Sequence, residues 1–448
     1  MKSMPKKALA IAVAAGIAFP MSASATNGFF LIGFGAKSRS MGGVGVAYAQ
    51  DSLAIASNPA GMSDIDMNTM RIDVGGDFFN PPRAVLHDSA TLPADAKSGA
   101  NVFLIPNMGG AYKFNRNLSI GMAAVGAGLG TRYDQSQAVC DDGNPATNGN
   151  NFFNFNCNAS DTVGVMLMQM QMLPSVAYKI NKQHALGASL AIGVQTFRAY
   201  GLQAFDTLGF SDTNGNLSNR GNDWSYGAGF RLGGLHKFFK NRLNFGWNYA
   251  SRVYMTNFEK YSNLFAEHGD FDIPEHYALG LAYKFTDKLT VAADVQQINF
   301  SDVKSVGNPG PNPADPNNFF PPGFDVLGKN NGLGFGWNDQ TVYKLGFNYD
   351  VDDTWSVRAG VNYGETPIPK SQVLFNMLAP ATVEKHLTLG ASYRPSPSIE
   401  WSVNYMHAFE NVIKGPTAFG PTGSPVVGEN AAISMKQNAL GVSFAFKM

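Results

Sequence analysis

The chain is poor in charge, almost without cysteine, and free of long apolar runs beyond its first residues, and each shortage narrows what it can be. Charged residues are 15% of the 448, well under the quarter or so of ordinary globular proteins. They are balanced, 33 Lys and Arg against 33 Asp and Glu, so the basic excess that nucleic-acid binding needs is missing and no nucleic-acid partner is expected. After the leader no stretch of about 18 uncharged apolar residues occurs, which excludes a transmembrane helix. The two cysteines, Cys140 and Cys157, have no histidine near them, so no metal site and no cofactor are expected. Catalytic signatures are missing as well. The seven histidines (His87, His184, His236, His268, His276, His386 and His407) lie in no H-E-x-x-H motif and beside no G-x-S-x-G elbow, and an enzyme is not expected.

What is present is sheet. Aromatic residues reach 12% and there are 49 glycines. Residues 1–25 read as a signal peptide: Lys2, Lys6 and Lys7, an apolar run from Ala8 to Phe19, and a small-x-small site at Ala23-Ser24-Ala25. Export would carry Cys140 and Cys157 into an oxidising compartment, which predicts a disulfide within one polar loop.

From about residue 68 the chain repeats strand-like runs of period two. Leu243, Phe245, Trp247 and Tyr249 alternate with smaller or polar residues, as do Trp355, Val357, Ala359, Val361 and Tyr363. The connections alternate in length. Short ones fall at Asn115–Asn117, Asn181–Gln183, Phe239–Arg242, Thr286–Lys288, Val351–Asp353 and Arg394–Ser398; long ones fall near 81–100, 133–165, 203–222, 258–272, 304–338, 364–383 and 414–433. Turn residues fill the short set. Fourteen strands fit between them, and short turns on one side with long loops on the other is the pattern of an outer-membrane barrel. Tyrosines at strand ends (Tyr249, Tyr283, Tyr349, Tyr393) and the alternating terminal run Leu440, Val442, Phe444, Phe446, Met448 agree with that reading. The expected fold is therefore all-β: a 14-stranded antiparallel transmembrane barrel over 68–448, multi-pass in the cell outer membrane, monomeric, with membrane lipid around it. The Met166, Met168, Met170 and Met172 stripe alternates with Gln169 and Gln171; glutamine belongs in the lumen, so the methionines are expected on the lipid side.

Residues 26–67 do not alternate. They are glycine-rich and too apolar for a solvated tail. A barrel of fourteen strands encloses a wide lumen, and this segment is expected to fill it as a hatch.

The run Gly42-Gly43-Val44-Gly45-Val46-Ala47-Tyr48-Ala49, then Asp51, then Ser57-Asn58-Pro59-Ala60-Gly61-Met62 resembles the N-terminal hatch of the FadL family of long-chain fatty acid transporters and the related TodX-type aromatic hydrocarbon channels. A second likeness lies in Trp337-Asn338-Asp339, Tyr343-Lys344-Leu345-Gly346, Trp355 to Val361 and Pro367-Ile368-Pro369. The resemblance covers essentially the whole chain after residue 25. It implies passive uptake of long-chain fatty acids or similar hydrophobic small molecules, with aromatic hydrocarbons as the alternative cargo. It assigns hatch movement to the bend at Asn58, Pro59 and Ala60. It also implies an inward kink in the third strand, where Gly126, Gly128 and Gly130 sit, and lateral release of cargo there. From the residues alone, Phe152, Phe153, Phe155, Phe319, Phe320 and Phe375 on the long loops are candidates for ligand capture. A carboxylate would want a cation; Arg132, Arg198 and Lys344 are candidates, with Arg198 singled out because the resemblance places it where the fifth strand meets the outer loops, although its parity with Leu190 and Ile192 is that of the lipid side. A general porin for polar solutes and an outer-membrane lipid hydrolase are the competing functions.

Overall fold

A run of residues that alternates small or polar with large apolar side chains can satisfy its backbone in hydrocarbon only by pairing on both edges. In the computed structural model, which describes residues 27–65, 70–87, 94–133, 162–202, 204–207, 209–211, 215–419 and 425–448, this requirement closes the sheet. The fourteen wall strands are β1 (Met70–Asn80), β2 (Phe103–Lys113), β3 (Leu118–Gly130), β4 (Gly164–Lys179), β5 (His184–Tyr200), β6 (Asp223–Phe238), β7 (Leu243–Ala250), β8 (His276–Lys284), β9 (Leu289–Ile298), β10 (Gln340–Asp350), β11 (Trp355–Gly364), β12 (Lys385–Ser396), β13 (Ile399–Phe419) and β14 (Pro425–Lys447). Each pairs antiparallel with its sequence neighbours, and β14 returns to β1 in the register Arg71↔Lys447 to Asn80↔Asn438.

The burial pattern is that of a lipid-facing wall. On β8 the outward Tyr277, Leu279, Leu281 and Tyr283 are exposed while Ala278 and Ala282 between them are buried. The same parity puts Val176, Tyr178 and Ile180 outside and Gln169 and Gln171 inside, with the methionine stripe on the outer face. Trp355 pairs with Tyr393 and Trp401 with Phe444, each at 4.7 Å between rings, beside the short turns; such belts sit at the membrane interface.

The long connections are less loop-like than their composition suggests. Region 81–100 contains a hairpin, Arg83–His87 with Ala94–Lys97. Region 414–433, expected as a long connection, is mostly strand, because β13 and β14 run on to Phe419 and back from Pro425. Extending an existing ladder adds bonds without a new closure entropy. The hairpin then covers the β14 edge through the register Ala431↔His87 to Met435↔Arg83.

Residues 27–65 lie within this ring. Their only regular elements are one helical turn, Gly35–Arg39, and two 3-10 turns, Ser52–Ala56 and Pro59–Asp64. They seat against wall glycines. A Cβ on Gly360 would come to 2.2 Å from the Met41 carbonyl carbon, one on Gly346 to 2.5 Å from the Met41 oxygen, and one on Gly246 to 2.3 Å from the Val46 oxygen. The wall is thus pared to backbone where the inner segment passes. Replacing Gly360 by Leu should leave a barrel that still shifts mobility on heating in gels, but release residues 27–65. The readout is a steady ion current in planar bilayers that the wild type lacks, together with faster proteolysis of that segment.

Candidate functional site

Three structural features converge around the inner segment: its tethers, an interruption in the wall, and an aromatic floor under the outer loops.

The tethers begin with backbone shape. Gly42 and Gly43 take φ of 69° and 87°, a region that suits glycine, and a Cβ on Gly43 would lie 1.8 Å from the Ile32 oxygen. The run Asn58-Pro59-Ala60 is a helix start. Asn58 is extended, its side-chain oxygen accepts from the Ala60 N–H at 3.0 Å, and Pro59 occupies the first turn, where its missing donor costs nothing. Asn58 Nδ2 also donates to the Val46 carbonyl at 2.7 Å and, across to β6, to the Gly234 carbonyl at 2.9 Å. Gly233 makes the approach possible, because a Cβ there would be 2.1 Å from Asn58 Oδ1. Asn58 therefore binds the inner segment to itself and to the wall.

Ionic contacts surround this. Lys37 Nζ meets Glu400 at 2.6 Å and Arg39 meets Asp77 at 2.9 Å. Asp73 accepts from the Ser52 N–H and hydroxyl at 2.9 and 2.6 Å, and Asp294 from the Gly45 and Val46 N–H groups at 2.8 and 3.1 Å. Lys344 donates to the Ile32 carbonyl at 2.9 Å and to Gln296 at 2.8 Å. It is a tether of the inner segment, not a vacant cation.

The wall is interrupted between β2 and β3. Their ladder runs from Lys113↔Ser119 to Asn107↔Val125 and stops. Beyond that point Phe103 to Pro106 pair only with β1, and Gly126 to Gly130 only with β4. Pro106 has no N–H to offer a ladder, and Gly128 has φ of 152°. The two strands meet again above, where the Gly99 N–H donates to the Arg132 carbonyl at 2.6 Å. From Ala123 to Gly130 no β3 residue is exposed, whereas outward wall residues elsewhere face lipid in alternation. This part of β3 has left the wall surface and is covered on both faces. Gly126, Gly128 and Gly130 thus lie along one edge of this gap in the ladder.

The outer loops bring aromatic rings together. Phe375 stacks on Phe205 at 5.2 Å, Phe319 stacks on Phe210 at 5.6 Å, and Phe320 stands edge-on to Phe210 at 6.0 Å. Of these Phe375 is buried and Phe320 is 38% exposed. A second group, Phe197, Phe265 and Phe271, continues inward to Phe29 of the inner segment at 5.9 Å from Phe271, and Phe29 packs on Phe300 at 5.3 Å. The sequence pattern does not single out Phe205 and Phe210; their place in the long 203–222 connection is the one signal that could have found them. Phe152, Phe153 and Phe155, and with them Cys140 and Cys157, lie outside the described residues.

Arg198 stands on the outer face of β5, exposed, with its guanidinium 5.6 Å from the Tyr200 ring centre, on the side its parity with Leu190 indicates, and the structure does not bring it to the inner segment. Arg132 is exposed at the rim. Besides Lys344, Arg231 on β6 is a further inward cation, 1% exposed. Its parity was legible, since Phe230 and Leu232 on either side face out. Arg231 donates to the Ala56 carbonyl of the inner segment and to Gln171 Oε1, the latter at 2.7 Å. It borders a cavity of about 20 Å³ between Phe30, Leu31 and Phe34 on one side and Val125, Gly126 and Ala127 of β3 on the other. That is room for about one water.

Comparison with known proteins agrees with this architecture. Residues 22–447 match the model of the family described as outer membrane protein transport protein (OMPP1/FadL/TodX). A 47 kDa outer membrane protein of Pasteurella multocida is 24% identical over 398 residues, 82% of this chain and 85% of that one. Among solved structures, the toluene transporter TodX of Pseudomonas putida superposes with a TM-score of 0.68 at 18% identity, covering 94% of this chain and 99% of that chain. A FadL homologue of Pseudomonas aeruginosa gives 0.66 at 15% identity, covering 94% and 99%.

Two outcomes follow from the contacts. Asn58→Ala leaves the Val46 and Gly234 carbonyls without that donor and should weaken docking of residues 27–65 by about 1–3 kcal/mol. The measurement is hydrogen exchange of that segment in protein whose barrel still folds, and unchanged protection would remove Asn58 from the tether. The second concerns the outer loop between β7 and β8. Burial first, and then the neighbouring Asp272 and Glu267 carboxylates, push Asp270 up to about 7. A raised carboxyl contributes stability that is complete below its unfolded value near 4 and is lost as pH rises through about 7. Exchange in residues 258–273, corrected for the intrinsic rate, should therefore be faster at pH 8.5 than at pH 5.5, and Asp270→Asn should flatten the difference.

Proposed function

The chain belongs to the OMPP1/FadL/TodX family of outer membrane transport proteins, and from that premise we propose that it is a passive channel for uptake of long-chain fatty acids or similar hydrophobic molecules. In this reading residues 27–65 are a movable hatch, residues 1–25 a signal peptide, and the channel acts as a monomer in lipid. Cargo is first held by the aromatic rings of the outer loops, where each buried methylene contributes about 0.8 kcal/mol. It then passes inward along Phe271 and Phe29, displaces the hatch side chains, and leaves sideways between β2 and β3.

The observation that carries this reading is the interrupted ladder at Pro106 and Gly126. A wall built to retain water-soluble solutes has no use for a gap in its ladder, because each unpaired backbone group facing hydrocarbon costs several kcal/mol. A gap screened by its own inward strand lets an apolar molecule cross from lumen to lipid without entering water. Residues 27–65 packed across the lumen, with a cavity of about 20 Å³ left behind the gap, argue against a general porin. Aromatic hydrocarbons use the same route and are the second reading, favoured by the likeness in fold to the Pseudomonas putida toluene transporter.

Straightening β3 tests the route. Gly128→Val places a β-branched residue at φ 152°, which it does not adopt, so β3 should return to the wall. Uptake of labelled hexadecanoate by whole cells should fall at least ten-fold while the amount of folded, heat-modifiable protein in the outer membrane stays the same. Undiminished uptake would rule out the gap as the exit.

A further inference from the structure

The lipid face of the barrel carries a polar chain that neither the hatch nor the gap in the wall uses. His184 opens β5 and His236 lies near the end of β6, directly opposite it in register. Both share the outward parity of Leu186 and Leu232. Trp247 of β7 lies across Gly234, where a Cβ would come to 2.2 Å from the indole Nε1. The ring therefore reaches His236: Trp247 Nε1 donates to His236 Nε2 at 3.2 Å, and the two histidines meet Nδ1 to Nδ1 at 2.9 Å. An indole can only donate. His236 Nε2 must hold a lone pair, so its proton is on Nδ1 and is donated to His184 Nδ1. The proton of His184 is left on Nε2. Three donors stand in line, and nothing among the described residues accepts from the last.

Two short turns flank that donor, and short turns of outer-membrane barrels face the periplasm. The turn between β4 and β5 is Asn181-Lys182-Gln183, and that between β6 and β7 is Phe239-Lys240-Asn241-Arg242. The Lys237 N–H donates to the Gln183 carbonyl at 2.8 Å and joins them. Neither turn holds a carboxylate. Lys182, Lys240 and Arg242 are exposed and form no ion pair among the described residues, whereas Lys179 and Lys237, of inward parity, both meet Asp64. Phe239, Lys240 and Asn241 take φ of 49°, 58° and 66°, a region that side chains seldom adopt. This run leaves Phe239 73% exposed beside the exposed Phe238. Above the turns the outward face is apolar, with Tyr178, Leu186 and Leu232 exposed. Rings at this height would suit any bilayer. The positive charge is particular to this sector, because the turn between β10 and β11 is Val351-Asp352-Asp353.

We propose that the periplasmic end of β4 to β7 is a binding site, on the outside of the wall, for the headgroup of an anionic phospholipid of the periplasmic leaflet. The phosphodiester accepts from His184 Nε2 and from Lys182, Lys240 and Arg242, and the acyl chains lie along Tyr178, Leu186 and Leu232. Lysine and arginine bind phosphate through charge-assisted bonds, and basic clusters at a membrane surface select anionic lipid. A zwitterionic lipid brings its own cation to the same three basic residues and loses the attraction. The site lies apart from the route proposed for cargo and does not depend on what the cargo is.

The test mixes the full chain, purified in detergent, with equal amounts of phosphatidylglycerol and phosphatidylcholine of the same acyl chains, and counts the lipids retained by native mass spectrometry. The wild type should retain phosphatidylglycerol at least five-fold over phosphatidylcholine. Lys182→Gln, Lys240→Gln and Arg242→Gln together should bring the ratio close to one. His184→Phe, which keeps a ring in place, should lower it at least two-fold. Lys385→Gln, Lys414→Gln and Lys436→Gln together remove the same charge from exposed positions at the opposite end of the barrel and should leave the ratio unchanged. Glycerol 3-phosphate at the concentration of the lipid should displace nothing. Equal retention of the two lipids by the wild type overturns the site, and this arm needs no variant to fold. A ratio that survives the first triple variant, falls as far in the second, or is unchanged in His184→Phe also overturns it. Displacement by glycerol 3-phosphate overturns the lipid as its occupant in favour of free phosphate.

Discussion

Hydrocarbon offers no hydrogen bonds, and most of the molecule answers to that one fact. Wall strands must pair on both edges, so the sheet closes through β14 and β1. Turns and loops must leave the membrane, so connections stand at its two faces. Large apolar side chains face out and small or polar ones face in, the reverse of a soluble protein. The rule gives way between Asn107 and Gly99 on one strand and Val125 and Arg132 on the other, and there the unpaired length of β3 turns away from lipid. An exception screened with such economy is a feature of the fold and not slack in it.

The inner segment obeys a different logic. It has almost no regular structure of its own, and it is held by wall glycines that let backbone touch backbone and by a set of dispersed polar contacts. Each net bond of this kind contributes about 0.5–1.5 kcal/mol. A wall ladder is a cooperative array, whereas contacts such as Lys37 with Glu400, Asn58 with Gly234 and Arg231 with Ala56 are separate from one another along the segment. The aromatic chain from Phe265 through Phe271 to Phe29 ties that segment to the loops above it.

Much of the fold was legible because period two is local. Alternation of Leu243, Phe245, Trp247 and Tyr249 with smaller residues is set by the pleat itself, and counting such runs between short turns leads to the fourteen strands observed. The lipid side of the methionine stripe followed from Gln169 and Gln171 in the same way. The 414–433 region, expected as a long connection, is mostly strand, because the pairing of β13 with β14, and the hairpin on the far edge of β14, extend the ladder beyond the wall. The outward face of Arg198 was legible in its parity with Leu190.

The sequence by itself determined the class of molecule, the strand number, which residues face lipid, and that an unpatterned glycine-rich segment precedes the wall, because these depend on neighbours within a few positions. Only the tertiary structure decided where the wall is unpaired, that Phe205 and Phe210 gather the rings of three loops, and that Arg231 lies buried beside that gap. Those facts depend on which residues far apart in the chain share one small volume. Ring closure fixes that, and no local pattern encodes it.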